Sequence, residues 1–290
     1  MRKLRVLGER PLPLPQFLRQ SFPSLPPGIL QNALKRRDVK RGGLRLGAKD
    51  LVEPGEELEI FIDERFLGGL PPPKVVFADE NIVVAVKPQG IAVAEDSRGA
   101  PTLADALRAE YPGALPCHRL DVQTGGLVLF ALNPSALREL ERAFKERSLQ
   151  KIYRCLVFGR PTPGVALLQA WLSKDASASR VYVHDRAVPG SLPIETAYQT
   201  LDSSSEMSLL KVELITGRTH QIRAHLAHIG HPVCGDDKYG DRAKNKAYSL
   251  TRQQLWATEV HLRFDDGPLR YLNGKAFSVK PEFGLRGLEW

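Results

Sequence analysis

The sequence predicts an α+β fold in which strands outnumber helices. Three observations carry this. Short alternating or apolar runs recur along the chain, helical periodicities are few and scattered, and no strand-helix-strand unit repeats as in a parallel α/β wheel. The stretch Gly68-Gly69-Leu70-Pro71-Pro72-Pro73 adds a division. Three prolines favour an extended, semi-rigid spacer. Residues 1–66, 67–73 and 74–290 therefore read as a small domain, a linker and a large domain.

In the small domain, Phe17, Leu18 and Phe22 predict a short helix. Ile29, Ala33 and Leu34 form one face of a second, which starts after Pro26-Pro27-Gly28. Lys35, Arg36, Arg37, Lys40 and Arg41 gather at its C-terminal end, where cations suit the helix dipole. Gly42-Gly43 turns the chain, and Leu44–Leu46 and Leu58–Ile62 read as strands.

In the large domain, Lys74–Phe77 and Asn81–Val86 read as a β-rich pair, and Leu103, Ala106 and Leu107 as a short helix. Leu127–Leu132 is an apolar run long enough for a buried strand. Asn133 can cap a helix whose first residue is Pro134, with Leu137, Leu140 and Phe144 toward the core. Ile152–Phe158 and Ile194–Leu201 read as strands. Leu209–Thr216 alternates Leu210, Val212 and Leu214 with Lys211 and Glu213, a half-buried strand. Thr219 can cap a helix from His220 to about Ile229, with Ile222, Leu226 and Ile229 as its buried stripe. Arg223 falls about a quarter turn from that stripe, at roughly 100° per residue, at the edge of the core. Gly230 and Pro232 end the helix. Glu259–Phe264 and Ala276–Val279 complete the strands.

The composition is that of an ordinary globular protein, 42% hydrophobic and 26% charged. No apolar run approaches the roughly 18 residues of a membrane span, and the basic start Met1–Arg5 lacks the apolar core of a secretory signal. Cys117, Cys155 and Cys234 are far apart and form no Cys-x-x-Cys pair, which fits a reducing cytoplasm. The net charge of +8 is lopsided. Residues 1–50 hold 12 Lys and Arg against three Asp and Glu, leaving the rest near −1. A folded basic module suggests an anionic partner, nucleic acid first.

The densest chemistry lies in Pro116-Cys117-His118-Arg119-Leu120-Asp121-Val122-Gln123-Thr124-Gly125-Gly126-Leu127. It sets a carboxylate beside a cation at a loop anchored by a core strand. That is a plausible catalytic device, and equally a buried Arg–Asp tie, the commoner case. His225, His228 and His231, followed by Asp236, Asp237 and Asp241, make a metal site conceivable. Gly230 and Pro232 bend the chain before His231, which weighs against it. Trp171, Trp256 and Trp290 show no spacing of a stacking platform.

Several segments together resemble the RluA-type pseudouridine synthases. They are His118-Arg119-Leu120-Asp121 with Thr124 and Gly126, then Lys151-Ile152-Tyr153 and Gly159. Thr216-Gly217-Arg218-Thr219-His220-Gln221-Ile222-Arg223 with His225 follows, then Gly230–Asp236 with Tyr239-Gly240. Asp79–Pro88 is similar to the family's first catalytic strand. The likeness runs in the family's order from about Lys74 to Lys275. Gly125 stands where the family often has Ser, and Cys155 where it often has Ala, both small-for-small changes away from the chemistry.

The resemblance implies a catalytic domain built on a central mixed, largely antiparallel sheet. It also implies isomerisation of specific uridines to pseudouridine in structured RNA, ribosomal first and transfer RNA second. The bond from uracil nitrogen 1 to ribose breaks, the base rotates, and carbon 5 joins the sugar. No redox change occurs, so no cofactor is expected, in keeping with the lack of a Gly-x-Gly-x-x-Gly or Walker-type loop. Asp121 would be the essential carboxylate, as nucleophile or as the base that removes a ribose proton. Arg223 is the first candidate for its ion-pair partner and Arg218 the second. Tyr153 could stack on the displaced uracil and help move the carbon 5 proton. Arg119 could hold the space of a flipped base or brace the loop. His118, Arg119 and Arg218 are read as RNA contacts. The basic region resembles the small RNA-binding domain named after ribosomal protein S-four, with Lys35, Arg36, Arg37, Lys40 and Arg41 as phosphate contacts. A monomer in the cytoplasm suffices. The rivals are an RNA-binding assembly factor without catalysis and a metal-dependent hydrolase.

Overall fold

The computed structural model describes residues 1–22, 25–68, 70, 72–95 and 100–283. Gly69 and Pro71 of the expected linker, and Trp290, lie outside these residues. The chain forms two compact units. The first is Met1–Pro73 together with Ala94–Glu110, and the second is Lys74–Val93 together with Tyr111 onward. Segment 94–110, which the sequence places in the large domain, thus contacts the small unit most, and Ala100 joins its core.

The first unit contains β1 (Arg2–Arg5), β2 (Leu12–Pro13), α1 (Leu14–Ser21), α2 (Pro27–Arg36), β3 (Val39–Arg41), β4 (Leu44–Leu46), β5 (Leu51–Val52), β6 (Glu57–Ile60) and α3 (Glu64–Leu67). Strands β1-β6-β3-β4 make an antiparallel sheet, and β2 pairs β5. Leu14, Phe17 and Leu18 of α1 and Leu30 and Ala33 of α2 pack with Val39, Leu58 and Ile60 in one core. Pro27 opens α2, where a missing N–H costs nothing. Arg37 closes it in the left-handed region at φ 55°.

The second unit begins with β7 (Lys74–Ala78) and β8 (Ile82–Lys87). Between β8 and the rest of this unit, α4 (Leu103–Arg108) belongs to the first unit. A capping box starts α4: Thr102 Oγ1 accepts from Asp105 N–H, and the Asp105 carboxylate accepts from Thr102 N–H. The second unit continues with β9 (Leu115–Pro116), β10 (Gly125–Ala131), α5 (Pro134–Glu146), β11 (Gln150–Phe158), β12 (Val165–Asp175), β13 (Arg180–His184), β14 (Leu192–Ser203) and β15 (Met207–Leu214). It ends with α6 (Gln221–His228), α7 (Arg242–Ala247), β16 (Leu255–His261), a single 3₁₀ turn at Arg270–Leu272, and β17 (Ala276–Ser278).

One sheet of 11 strands runs β13-β12-β14-β15-β11-β16-β10-β8-β7, with β17 on β16 and β9 on β10. Among the described residues only β10 and β16 run parallel, and every other neighbouring pair of this sheet is antiparallel. Every residue of β8 and β10 is buried, which is why these strands read as unbroken apolar runs. Helix α5 lays Ala136, Leu140 and Ala143 on that part of the sheet, and Asn133 caps it by accepting from Ala136 N–H at 2.9 Å.

Two glycines let β10 and β16 approach. A Cβ on Gly125 would sit 2.1 Å from the Trp256 ring, and one on Gly126 would sit 2.1 Å from Ala257 O. Gly125, the departure from the family pattern, is therefore the complement of Trp256. Strands β12 and β13 were not legible as strands. Val165, Leu167 and Tyr182 are apolar yet exposed, so neither segment alternates cleanly. Strand β16 also starts four residues before the expected Glu259, because β11 pairs with it as far as Cys155–Leu255 through a bulge at Ile152/Tyr153.

Candidate active site

Asp121 lies in the loop between β9 and β10, and its turn is held from several directions. Thr124 N–H donates to Asp121 O at 3.0 Å. Val122 O accepts from Gly90 N–H at 2.7 Å and from Lys87 Nζ at 3.1 Å. Lys87 is fully buried and spends its other two protons on Pro88 O and Ile91 O, at 3.0 and 2.9 Å. Burial pulls its pKa down to about 7, while the Asp121 charge pulls the other way. Gln89 Nε2 donates to Gln123 O and to Gln253 O, and Gln253 Nε2 donates to Thr124 Oγ1 at 2.8 Å.

Arg223 completes the site from the first turn of α6. Its Nη1 donates to Asp121 Oδ2 at 3.0 Å. Its Nε and Nη2 fork onto Asp236 Oδ2 and Oδ1 at 2.6 and 3.0 Å, and Nη2 reaches Asp237 Oδ1 at 3.5 Å. Arg223 is buried, not at the core's edge as its helical angle suggested, because α6 is covered on nearly every side. Burial opposes its charge, but Asp236 and Asp121 outweigh that and hold its pKa above the ordinary arginine value. Asp236 is wholly buried. Burial would raise its pKa, yet the Arg223 fork and the N–H groups of Tyr239 and Lys238 keep it below the usual carboxylate range.

The helix start differs from expectation. His220, not Thr219, is the N-cap, at φ 54°, and no side chain caps it. Gln221 does the tying instead: its Oε1 accepts from Arg218 N–H at 3.0 Å and from Thr216 Oγ1 at 2.8 Å. The left-handed turn points the His220 ring at the carboxylate, with Nε2 3.9 Å from Asp121 Oδ1. Tyr153, on β11, is buried. Burial and then the Asp121 charge raise its phenol pKa.

Of the residues picked from the sequence, Asp121 and Arg223 are in direct contact, and Tyr153 senses the Asp121 charge. Arg218 is exposed and uses its backbone, not its guanidinium, to anchor the helix turn. Arg119 is exposed, with no partner among the described residues. His118 turns toward the protein: its Nε2 accepts from Leu129 N–H at 3.0 Å and its ring lies 4.6 Å from Phe144. Burial, with Lys151 nearby, lowers its pKa to about 3. In the first unit, Lys35, Arg36 and Arg37 are exposed. Lys40 lies over Phe61, and Arg41 is spent on Glu56 at 3.0 Å. The three α6-region histidines take separate partners. His225 Nδ1 is 3.1 Å from Thr196 Oγ1, His228 Nε2 is 2.8 Å from Asp185 Oδ1, and His231 Nδ1 is 3.0 Å from Phe158 O. No group of three potential metal ligands converges among the described residues.

Asp236, His220, Tyr239 and Lys87 escaped assignment. Asp236 had a signal, being an acidic residue after Gly235 in a turn following the Arg223 helix. A buried lysine at a strand end gives none.

The site thus brings together a carboxylate, Asp121, held by the buried Arg223 guanidinium, and a buried tyrosine, Tyr153, that senses the Asp121 charge. Residues 81–228 match the family model described as RNA pseudouridylate synthase. The chain is 31% identical over 275 residues to Ribosomal large subunit pseudouridine synthase C of Vibrio cholerae, covering 88% of this chain and 85% of that protein. It is 32% identical over 241 residues to the protein of that name in Escherichia coli, covering 78% and 75%. An "Uncharacterized RNA pseudouridine synthase" of Chloroflexus aurantiacus is 36% identical over 267 residues, covering 85% and 80%. Among solved structures, Human RNA Pseudouridylate Synthase Domain Containing 1 aligns with a TM-score of 0.59 at 25% identity, over 72% of this chain and 83% of that one. The chain belongs to the RNA pseudouridylate synthase family. It is an isomerase that makes pseudouridine in RNA.

Proposed function

We propose that the uridines it isomerises lie in large-subunit ribosomal RNA and that Asp121 is the carboxylate that starts the reaction. The Arg223–Asp121 contact carries this reading. Arg223, fixed by Asp236, holds Asp121 through Oδ2 and leaves Oδ1 for the substrate. The reaction is an isomerisation: the bond from ribose carbon 1′ to nitrogen 1 breaks, one to carbon 5 forms, carbon 5 loses a proton and nitrogen 1 ends with one. Asp121 serves as nucleophile at carbon 1′ or as base at carbon 2′. Tyr153 supplies a flat surface for the released uracil. Its raised pKa keeps the phenol protonated, so its hydroxyl relays a proton instead of acting as phenolate.

Exposed Arg119 and Arg218 flank the carboxylate loop and the helix turn, where they meet backbone phosphates or the gap left by the flipped nucleotide. The first unit adds grip through Lys35, Arg36 and Arg37 as an S-four-like module. Phosphate contacts of this kind raise affinity without choosing sequence. The enzyme works as a single chain in the cytoplasm. No described helix is long and apolar enough to cross a membrane. The target class is supported by the relatives named for the ribosomal large subunit. The test is a carbodiimide-based pseudouridine map of total RNA with and without the gene. Loss of one or a few large-subunit rRNA sites is expected. Loss confined to transfer RNA would overturn the target assignment.

A further inference from the structure

His220 is held in a strained, left-handed backbone conformation at the site. A non-glycine residue at φ 54° costs about 1 kcal/mol or more and persists where surrounding structure insists on it. Here both ring nitrogens are directed. Nδ1 lies 3.0 Å from the Tyr239 hydroxyl. That hydroxyl already accepts from Val181 N–H at 2.9 Å, and Arg180 and Arg223 lie over the Tyr239 ring at 4.9 and 5.3 Å from its centre. Among the described residues no other acceptor is offered to the phenol proton, so it goes to Nδ1. The imidazole proton is then on Nε2. Burial, reinforced by Arg223 and Lys238 against the pull of Asp121 and Asp236, lowers the His220 pKa, which favours the neutral ring.

The Nε2–H therefore faces Asp121 Oδ1, the oxygen that Arg223 does not take. Their separation of 3.9 Å is too long for a direct hydrogen bond. It suits a third atom: one hydroxyl oxygen can sit at ordinary hydrogen-bond distance from both, accepting from Nε2–H and donating to Oδ1. We propose that His220 is a further catalytic residue that holds a hydroxyl of the reacting ribose against Asp121, with Tyr239 behind it fixing the required tautomer. The proposal rests on the assignment of Asp121 as the reacting carboxylate.

The test is a kinetic cycle on a large-subunit rRNA transcript from the protein's own source. It uses wild type, Asp121→Asn, His220→Phe, His220→Gln, Tyr239→Phe and the His220→Phe/Tyr239→Phe pair. His220→Phe keeps a ring but loses the donor. It is expected to lower kcat about 10- to 100-fold, the worth of a hydrogen bond in a charged site, with KM within about twofold. His220→Gln, which carries an N–H the same number of bonds out, recovers much of that loss. Tyr239→Phe loses several-fold alone and nothing further on top of His220→Phe, because it acts through His220. Wild-type kcat in His220→Phe, or losses that multiply in the pair, would overturn the proposal while leaving Asp121 in place. Product formation by Asp121→Asn at the wild-type rate would overturn the Asp121 assignment itself.

Discussion

Asp236→Asn separates what holds the site from what does the chemistry. The substitution changes almost no volume but removes the charge that fixes Arg223. In the native protein that carboxylate accepts two charge-assisted bonds from Arg223, at 2.6 and 3.0 Å, with no exposure to water. Asparagine can return one of them as a neutral bond and turns an NH₂ group toward the other guanidinium proton. With each charge-assisted bond worth about 1.5–3 kcal/mol, the expected loss of stability is about 2–4 kcal/mol. Asp121→Asn weakens a single bond, which the amide oxygen can still accept, at a quarter-exposed side chain, and should cost about 1 kcal/mol or less. Urea unfolding at pH 7 measures both. The Asp236 contribution has a defined pH sign. Its folded pKa lies below the unfolded value of about 3.9, so the stabilisation is present above that value and disappears as pH falls through the folded one. The gap between wild type and Asp236→Asn should thus be the same at pH 7 and pH 5. An asparagine variant within about 0.5 kcal/mol of wild type, or one less affected than Asp121→Asn, would refute the argument.

Three further outcomes are expected. Gly125→Ser drives a side chain into the Trp256 ring and should cost about 1–3 kcal/mol of stability by urea midpoint; an unchanged midpoint would mean Trp256 has room to move. His118 and His225 stay neutral in the fold, with pKa values near 3 and 4 set by burial, but take protons near 6.5 when unfolded. Stability should therefore fall as pH drops from 6.5 toward 4, and His225→Gln should flatten that fall in part; a flat wild-type profile contradicts this. Replacing Lys35, Arg36 and Arg37 by Ala should reduce the slope of log affinity against log salt for rRNA by about 2, with kcat unchanged; an unaltered slope removes these residues from the RNA contact.

The fold's centre was legible because burial on both faces forces continuous apolar runs, as in Ile82–Val86 and Leu127–Ala131. Helix α5 was legible for a local reason, the Asn133 cap followed by Pro134. Strands β12 and β13 were not, since their exposed apolar side chains break the alternation that marks a half-buried strand. At the site, Asp121 and Arg223 stood out as motif residues, but periodicity alone misplaced Arg223. It put the side chain at the border of an amphipathic stripe, whereas α6 is enclosed by β12, β13, β14 and the Asp236 turn. His118, beside the Asp121 loop, turns inward to satisfy a strand N–H, an orientation that the sequence alone does not convey. His220 and Tyr239 meet across 19 residues of sequence, a pairing that no spacing rule conveys.

The central claim is that Asp121 performs the reaction in a frame held by Arg223 and Asp236. Its most direct test is a pseudouridine map of rRNA from cells lacking the gene and supplied with either wild type or Asp121→Asn at equal abundance. Wild type is expected to restore the missing sites, and the folded, RNA-binding Asp121→Asn protein to restore none. Restoration of those sites by Asp121→Asn would contradict it.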